Sequence, residues 1–228
     1  MGAYQWMIVV MAAIMNLLDG FDVLALAFTA TAIRGEFGLT GIELGYLLSA
    51  GLFGMTAGSL FLAPLADKIG RRPLLLMAVS LSAIGMLGSA FISQYQWLGF
   101  WRVITGLGVG GILVGTNVIT SEYSSRKWRS FAISVYAAGF GIGAVLGGMF
   151  AMMLQGEYGW RSVFLAGAIL TGLLLVVLFI WLPESIDFLT SKQPKNAEVR
   201  LNLIAKKIGL AGDWKLPEKA EKIKTKLP

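Results

Sequence analysis

Asp19 and Asp22 stand three residues apart inside a long apolar run, and Arg102 stands five or so residues inside another. At a spacing of i, i+3 the two carboxylates share one face of a helix. A charged group at the bilayer centre costs roughly 2.5–3.5 kcal/mol on insertion scales, so such residues face a cavity or a partner. A buried carboxylate pair can hold a proton and exchange it when a cavity opens, which is the physical requirement for coupling movement to protons. The alternative is structural: a pair that accompanies a kink at Gly20 or holds a basic partner. Arg102 is the only cation well inside an apolar run, on the order of 8 Å deep at about 1.5 Å per residue. Three roles compete for it: counter-ion to Asp22, a bidentate grip on a substrate carboxylate, or snorkelling to the outer surface. Asn16, Asn117, Thr116 and Tyr136 are candidate pore-facing groups that serve equally well as interhelical hydrogen-bonding groups. Phe21, Phe28 and Phe140 could wall an aromatic cavity, although core packing is the commoner role.

The rest of the composition narrows the chemistry. The chain has no Cys and no His, which removes thiolate metal sites, disulfides and the commonest general base. For an enzyme only an aspartyl dyad would remain, so neither catalysis nor a bound metal is expected. Of 228 residues, 56% are hydrophobic and 14% charged, well below the roughly 25% charged content of soluble domains. The chain is therefore read as an all-α membrane protein. The net charge of +6 does not point to nucleic acid, because ten of the nineteen basic residues lie from Lys192 onward, against four acids. A basic tail suits an anionic lipid leaflet.

Six apolar stretches are long enough to span a bilayer, at about Tyr4–Ile33, Gly41–Ala63, Leu74–Ile92, Trp97–Ser121, Phe131–Leu154 and Trp160–Leu182. Between the second and third, Ala63–Pro73 reads as a tight polar turn carrying Lys68, Arg71 and Arg72; between the fourth and fifth lie Arg126, Lys127 and Arg129. The other connections are not basic. The positive-inside rule then puts both termini in the cytoplasm. Trp6, Trp97 and Trp160 fall near span ends, where interfacial anchors belong. Residues 1–183 form the six-helix unit and 184–228 a cytoplasmic linker, in which Ala197–Ile208 has the spacing of a short amphipathic helix on the membrane surface. Glycines repeat every four residues at Gly54 and Gly58, at Gly106 and Gly110, and at Gly139, Gly143 and Gly147 beside Gly148. Such rows let helices approach closely.

Leu65-Ala-Asp-Lys-Ile-Gly-Arg-Arg72 resembles the loop signature between the second and third helices of the major facilitator superfamily, with Ala63 in place of its opening Gly. Arg102 to Gly110 resembles the fourth-helix signature, Gly139 to Gly148 the fifth-helix glycine signature, and Pro183-Glu184-Ser185 a frequent ending of the sixth helix. Asp19-Gly-Phe-Asp22 and Thr120-Ser-Glu-Tyr123 resemble the aromatic acid:proton symporters within it. The resemblance implies a carrier of twelve helices in two halves, each half two inverted three-helix repeats, of which this chain supplies the first half plus linker. It implies import of a small organic anion such as benzoate, 4-hydroxybenzoate or muconate in a bacterial inner membrane, with the proton as coupling ion and no other cofactor. Asp19 and Asp22 would carry the proton. Arg102, Asn16 and Asn117 would contact substrate or balance charge. Asp67, Arg71, Arg72 and Glu122 would form a cytoplasmic charge cluster that acts as a gate. A carrier for another substrate, such as a sugar, or a non-transporting six-helix fragment are the alternatives.

Overall fold

The computed structural model describes residues 1–210 and Leu216. Among them the elements are α1 (Ala3–Phe37), α2 (Gly41–Ile69), α3 (Arg71–Ala90), α4 (Tyr95–Tyr123), α5 (Arg129–Tyr158), α6 (Trp160–Trp181), α7 (Ile186–Lys192) and α8 (Ala197–Ile208). The first six are long and apolar enough to cross a membrane. Most run several residues past the apolar stretches that announce them. Hydropathy measures the thickness of hydrocarbon, whereas a helix continues until something caps its backbone.

The largest difference is at Ala63–Pro73, which is not an open turn. α2 runs through Pro64 to Ile69, and Gly70 alone separates it from α3. Gly70 has φ +103, a conformation that side chains resist. Its N–H closes α2 on the Ala66 carbonyl, and its own carbonyl opens α3. Pro73 falls in the first turn of α3, where its missing N–H is not needed. The cluster of charges does not mark where helix stops. At the opposite end Thr40 and Glu43 form a capping box that starts α2.

Two helix pairs dominate the packing, α1 with α5 and α2 with α4, and exchanging the first three helices for the second three interconverts them. Glycine stripes make both possible. A Cβ on Gly106 or Gly110 would strike the backbone of Gly51 or Met55 on α2, and one on Gly54 or Gly58 would strike Val103 or Leu107 on α4. On α5, Gly139 and Gly143 lie against the backbone of Ala13 and Leu17, while Gly147 and Gly148 receive the rings of Phe21 and Phe28. Gly20 touches the Phe140 backbone. It serves this contact within α1, which runs as one continuous helix from Ala3 to Phe37. α3 and α6 pack together against α4 and α1.

The helix expected at Ala197–Ile208 is α8, and α7 precedes it unforeseen. Ile204 of α8 joins the buried cluster of Ile8 and Leu189. Lys207 Nζ lies 5.1 Å from the centre of the Tyr4 ring. Val199 and Leu203 face outward. The remainder of the expected linker, including most of its Lys-rich end, lies outside the described residues.

Candidate functional site

Asp22 and Arg102 meet in the interior, between α1, α3, α4 and α6. Both are buried, at 2% and 3% exposure. The Asp22 carboxylate turns toward α3, where Ser82 Oγ donates to its Oδ2 at 2.7 Å. Its Oδ1 is buried without a partner. Arg102 Nη2 donates to Ser89 Oγ and Thr105 Oγ1, each at 2.9 Å, and touches Met86 Sδ at 3.1 Å. The guanidinium carbon sits 4.8 Å from the centre of the Phe164 ring, an arrangement in which the ring face attracts the cation. Arg102 Nη1 reaches the Asp22 backbone carbonyl at 3.5 Å, not the carboxylate. The two opposite charges are neighbours that form no ion pair. Snorkelling of Arg102 is ruled out by geometry, because its head group is held by α3 and α6 inside the bundle.

A cavity of about 40 Å³ opens onto Asp22, Arg102 and Thr105 between α1, α2 and α4, walled by Leu26, Leu47 and Leu52 among others. This is room for water. It is an order of magnitude below the roughly 300–1,000 Å³ of small-molecule sites.

Asp19 is buried as well, and its Oδ2 has no partner. One turn away, Asn16 Nδ2 donates to the Tyr136 carbonyl of α5 at 2.8 Å, while Asn16 Oδ1 is bare. The hydroxyls of Thr116 and Tyr136 lie 3.1 Å apart. Asn16, Thr116 and Tyr136 thus stitch helices together in the manner of interhelical hydrogen bonds. Asn117 is exposed on α4. Phe21 is packed in the core.

At the end of the bundle that carries Gly70, the expected charge cluster is rearranged. Arg71 pairs with Asp67 at 2.7 Å, one turn away. Glu122 makes no ion pair with them among the described residues. It accepts from Ser185 Oγ at 2.8 Å and from the Ile186 and Asp187 N–H groups at 2.7 and 3.3 Å, and so caps α7. The acid that meets the α2–α3 junction is Glu184, to which the sequence reading assigned no role. Its Oε1 accepts from the Arg71 and Arg72 N–H groups at 2.7 and 3.0 Å, and from Ser185 N–H at 2.9 Å. The physical reason is that the first N–H groups of a helix have no internal partner, and a carboxylate there also meets the positive end of the helix dipole. Arg72 Nη2 donates to the Phe179 carbonyl of α6 at 2.7 Å. Tyr123 Oη donates to the Glu184 carbonyl at 2.7 Å. The signal was present in Pro183-Glu184-Ser185, but nothing in it says which helix the acid would cap.

Glu184→Ala will lower thermal stability in detergent by about 1–2 kcal/mol, the upper range for a lost helix cap. Arg71→Ala will cost under about 1 kcal/mol, because the Asp67 side chain of that pair is 63% exposed. Melting curves of the two variants side by side test the ranking.

Residues 12–216 match the Major Facilitator Superfamily. The chain belongs to this superfamily. A gallate transporter of Pseudomonas putida is 36% identical over 197 residues, which are 86% of this chain and 44% of that protein. The 4-hydroxybenzoate transporter PcaK of the same organism is 35% identical over 218 residues, 94% of this chain and 49% of that protein. The chain therefore spans about half the length of the curated relatives it matches. Among solved structures, a partially occluded inward-open form of the xylose transporter XylE from E. coli superposes with a TM-score of 0.79 at 22% identity, covering 90% of this chain and 56% of that one. At that identity the likeness speaks for the fold alone.

This major facilitator chain carries one more polar network, at the end opposite Gly70. Glu36 accepts from Trp160 Nε1 at 2.6 Å and from Arg161 Nη1 and Nη2 at 2.9 and 2.7 Å. Arg161 also donates to the Ile92 carbonyl. The network ties the end of α1 to the start of α6 and the end of α3. Trp160, expected as a surface anchor, is buried in it at 4% exposure. Trp97 is exposed, as an anchor would be.

Proposed function

We propose that this chain is the N-terminal six-helix half of a proton-coupled importer of aromatic acids. The observation that carries the coupling is the Asp22–Arg102 centre. One carboxylate oxygen is held by Ser82, the other is bare, and the adjacent cation directs its Nη2 to Ser89 and Thr105 and not to the carboxylate. Such a carboxyl can gain or lose a proton without unmaking the helix contacts around it, and water in the small cavity can deliver it. Asp19, the second bare carboxylate, shares the task from one turn away.

The substrate class rests on the similarity to the gallate and 4-hydroxybenzoate transporters. The cavity beside Asp22 is too small for such an anion. The substrate binds instead near the midplane, against the outward sides of α1 and α4, where a second six-helix half completes the site. Exposed Asn117 belongs to that surface. Arg102 acts as a fixed cation beside Asp22, since its Nη2 is already held by Ser89 and Thr105 within the bundle. The end carrying Gly70 faces the cytoplasm by its charge, and the Asp67–Arg71 pair there lies where the halves would part as the carrier turns inward. The proton is the coupling ion, and proton and anion travel together.

The test is uptake of labelled 4-hydroxybenzoate, gallate and benzoate by cells expressing the gene that encodes the chain, with and without a protonophore. Accumulation of at least one acid that collapses with the protonophore is the expected result. Uptake that ignores the protonophore removes the coupling; failure to take up all three acids removes the substrate class.

A further inference from the structure

Beyond Arg71 and Arg72 at its start, helix α3 holds no residue singled out in the sequence, yet its serines make close polar contacts to both central charges. Ser82 and Ser89 are seven residues apart, two helical turns, and so lie on one face. Both are fully buried. Their hydroxyls are wired in opposite senses. Ser89 Oγ donates its hydrogen to the Gly85 carbonyl of its own helix at 2.7 Å, which leaves only lone pairs to offer Arg102. Thr105 does the same on α4, donating to the Trp101 carbonyl at 3.0 Å and accepting from Arg102. Ser82 shows no such bond within α3, and its hydrogen goes to the Asp22 carboxylate. One serine is thus an acceptor for the cation and the other a donor to the anion.

The close approach that makes this possible depends on two glycines. A Cβ on Gly108 of α4 would strike the Ser82 backbone, and a Cβ on Gly85 of α3 would strike Thr105. Among the described residues, Arg102 on α4 and Asp19 on α1 are the charged groups that act on this centre. α3 and α6 present it with neutral groups, Ser82, Met86, Phe164 and Gly167.

We infer that Ser82 and Ser89 are positioning residues for proton coupling: α3 offers a hydroxyl hydrogen to Asp22 and, two turns on, an oxygen to Arg102, and so holds the two charges in place without letting them pair. This rests on the coupling proposed above. It adds that α3 sets how the proton site responds to pH.

The experiment uses the protein encoded by the intact gene, reconstituted in proteoliposomes, with labelled 4-hydroxybenzoate as the probe and rates expressed per folded protein. Ser82→Ala shifts the pH midpoint of gradient-driven uptake by about one unit, the scale of one hydrogen bond to a charged group. Ser82→Thr, which keeps the hydroxyl, returns the midpoint to that of the parent. Ser89→Ala shifts it as well, through Arg102. Ser80→Ala leaves it in place, because Ser80 Oγ bonds only to the Leu76 carbonyl of its own helix. Should Ser82→Ala fail to fold, Ser82→Cys, of similar size and a weaker donor, takes its place with the same expected shift. A midpoint unmoved in the Ser82 variants, or Ser82→Thr behaving as Ser82→Ala, overturns the inference while the coupling stands. A parent protein whose uptake ignores the pH gradient overturns both.

Discussion

On the proposed coupling, Asp22→Asn is expected to convert concentrative uptake into equilibration. The amide keeps the shape of the carboxylate, and its oxygen still accepts from Ser82, so the bundle folds. What it loses is the ability to carry a proton. One pH unit across the membrane is worth about 1.4 kcal/mol for each proton moved, or about tenfold accumulation of a co-transported anion. The variant should therefore fall from roughly tenfold accumulation per pH unit to an inside-to-outside ratio near one. Asp19→Asn is expected to weaken accumulation strongly as well, since its Oδ2 is also bare and buried. The measurement is the steady-state ratio of labelled 4-hydroxybenzoate in proteoliposomes with an imposed pH gradient. If both variants accumulate like the parent, neither acid carries the proton.

Gly143→Ala will be more damaging than its size suggests. The added Cβ falls on the Leu17 carbonyl, which is backbone and cannot swing aside, so α1 and α5 must shift apart at this crossing. Overpacking of this kind costs about 1–3 kcal/mol. Gly141, two residues earlier on the same helix, provides the control, because a Cβ there meets nothing within 4 Å. Gly141→Ala gains up to about 1 kcal/mol of helix propensity. The two variants should bracket the parent in thermal unfolding in detergent, Gly141→Ala above and Gly143→Ala below. The reverse order would mean that this glycine row does not lie in the α1–α5 contact.

The helices illustrate how far local pattern reaches. Six apolar runs become six membrane-length helices, and the spacing of Ala197–Ile208 becomes α8 with the same bounds. The glycine rows announce close contact without saying with what. Row by row, Gly106 and Gly110 meet α2 while Gly139 and Gly143 meet α1, a choice that depends on how the helices are arranged around one another. Glu184 is sharper still. It sits in a short stretch already singled out, yet its partners are the N–H groups of Arg71 and Arg72, more than a hundred positions away. The same distance in sequence hid the partners of Glu122, Ser185 and Ile186, which stand at the start of a helix that apolar periodicity did not reveal.

The amino-acid sequence by itself determined that this protein lives in a membrane, how many times it can cross, which acids and which arginine are out of place in lipid, and which family its signatures resemble. These follow from composition, charge and short spacings, all properties of neighbouring residues. Only the tertiary structure decided that Asp22 is held by Ser82 across sixty positions, that Arg102 is held by Ser89, Thr105 and Phe164 and not by the Asp22 carboxylate, and that Glu184 caps α3. Most buried polar groups find a partner, but which one they find, or whether they are left bare, is set by the helices that happen to pack beside them, and no local pattern encodes that.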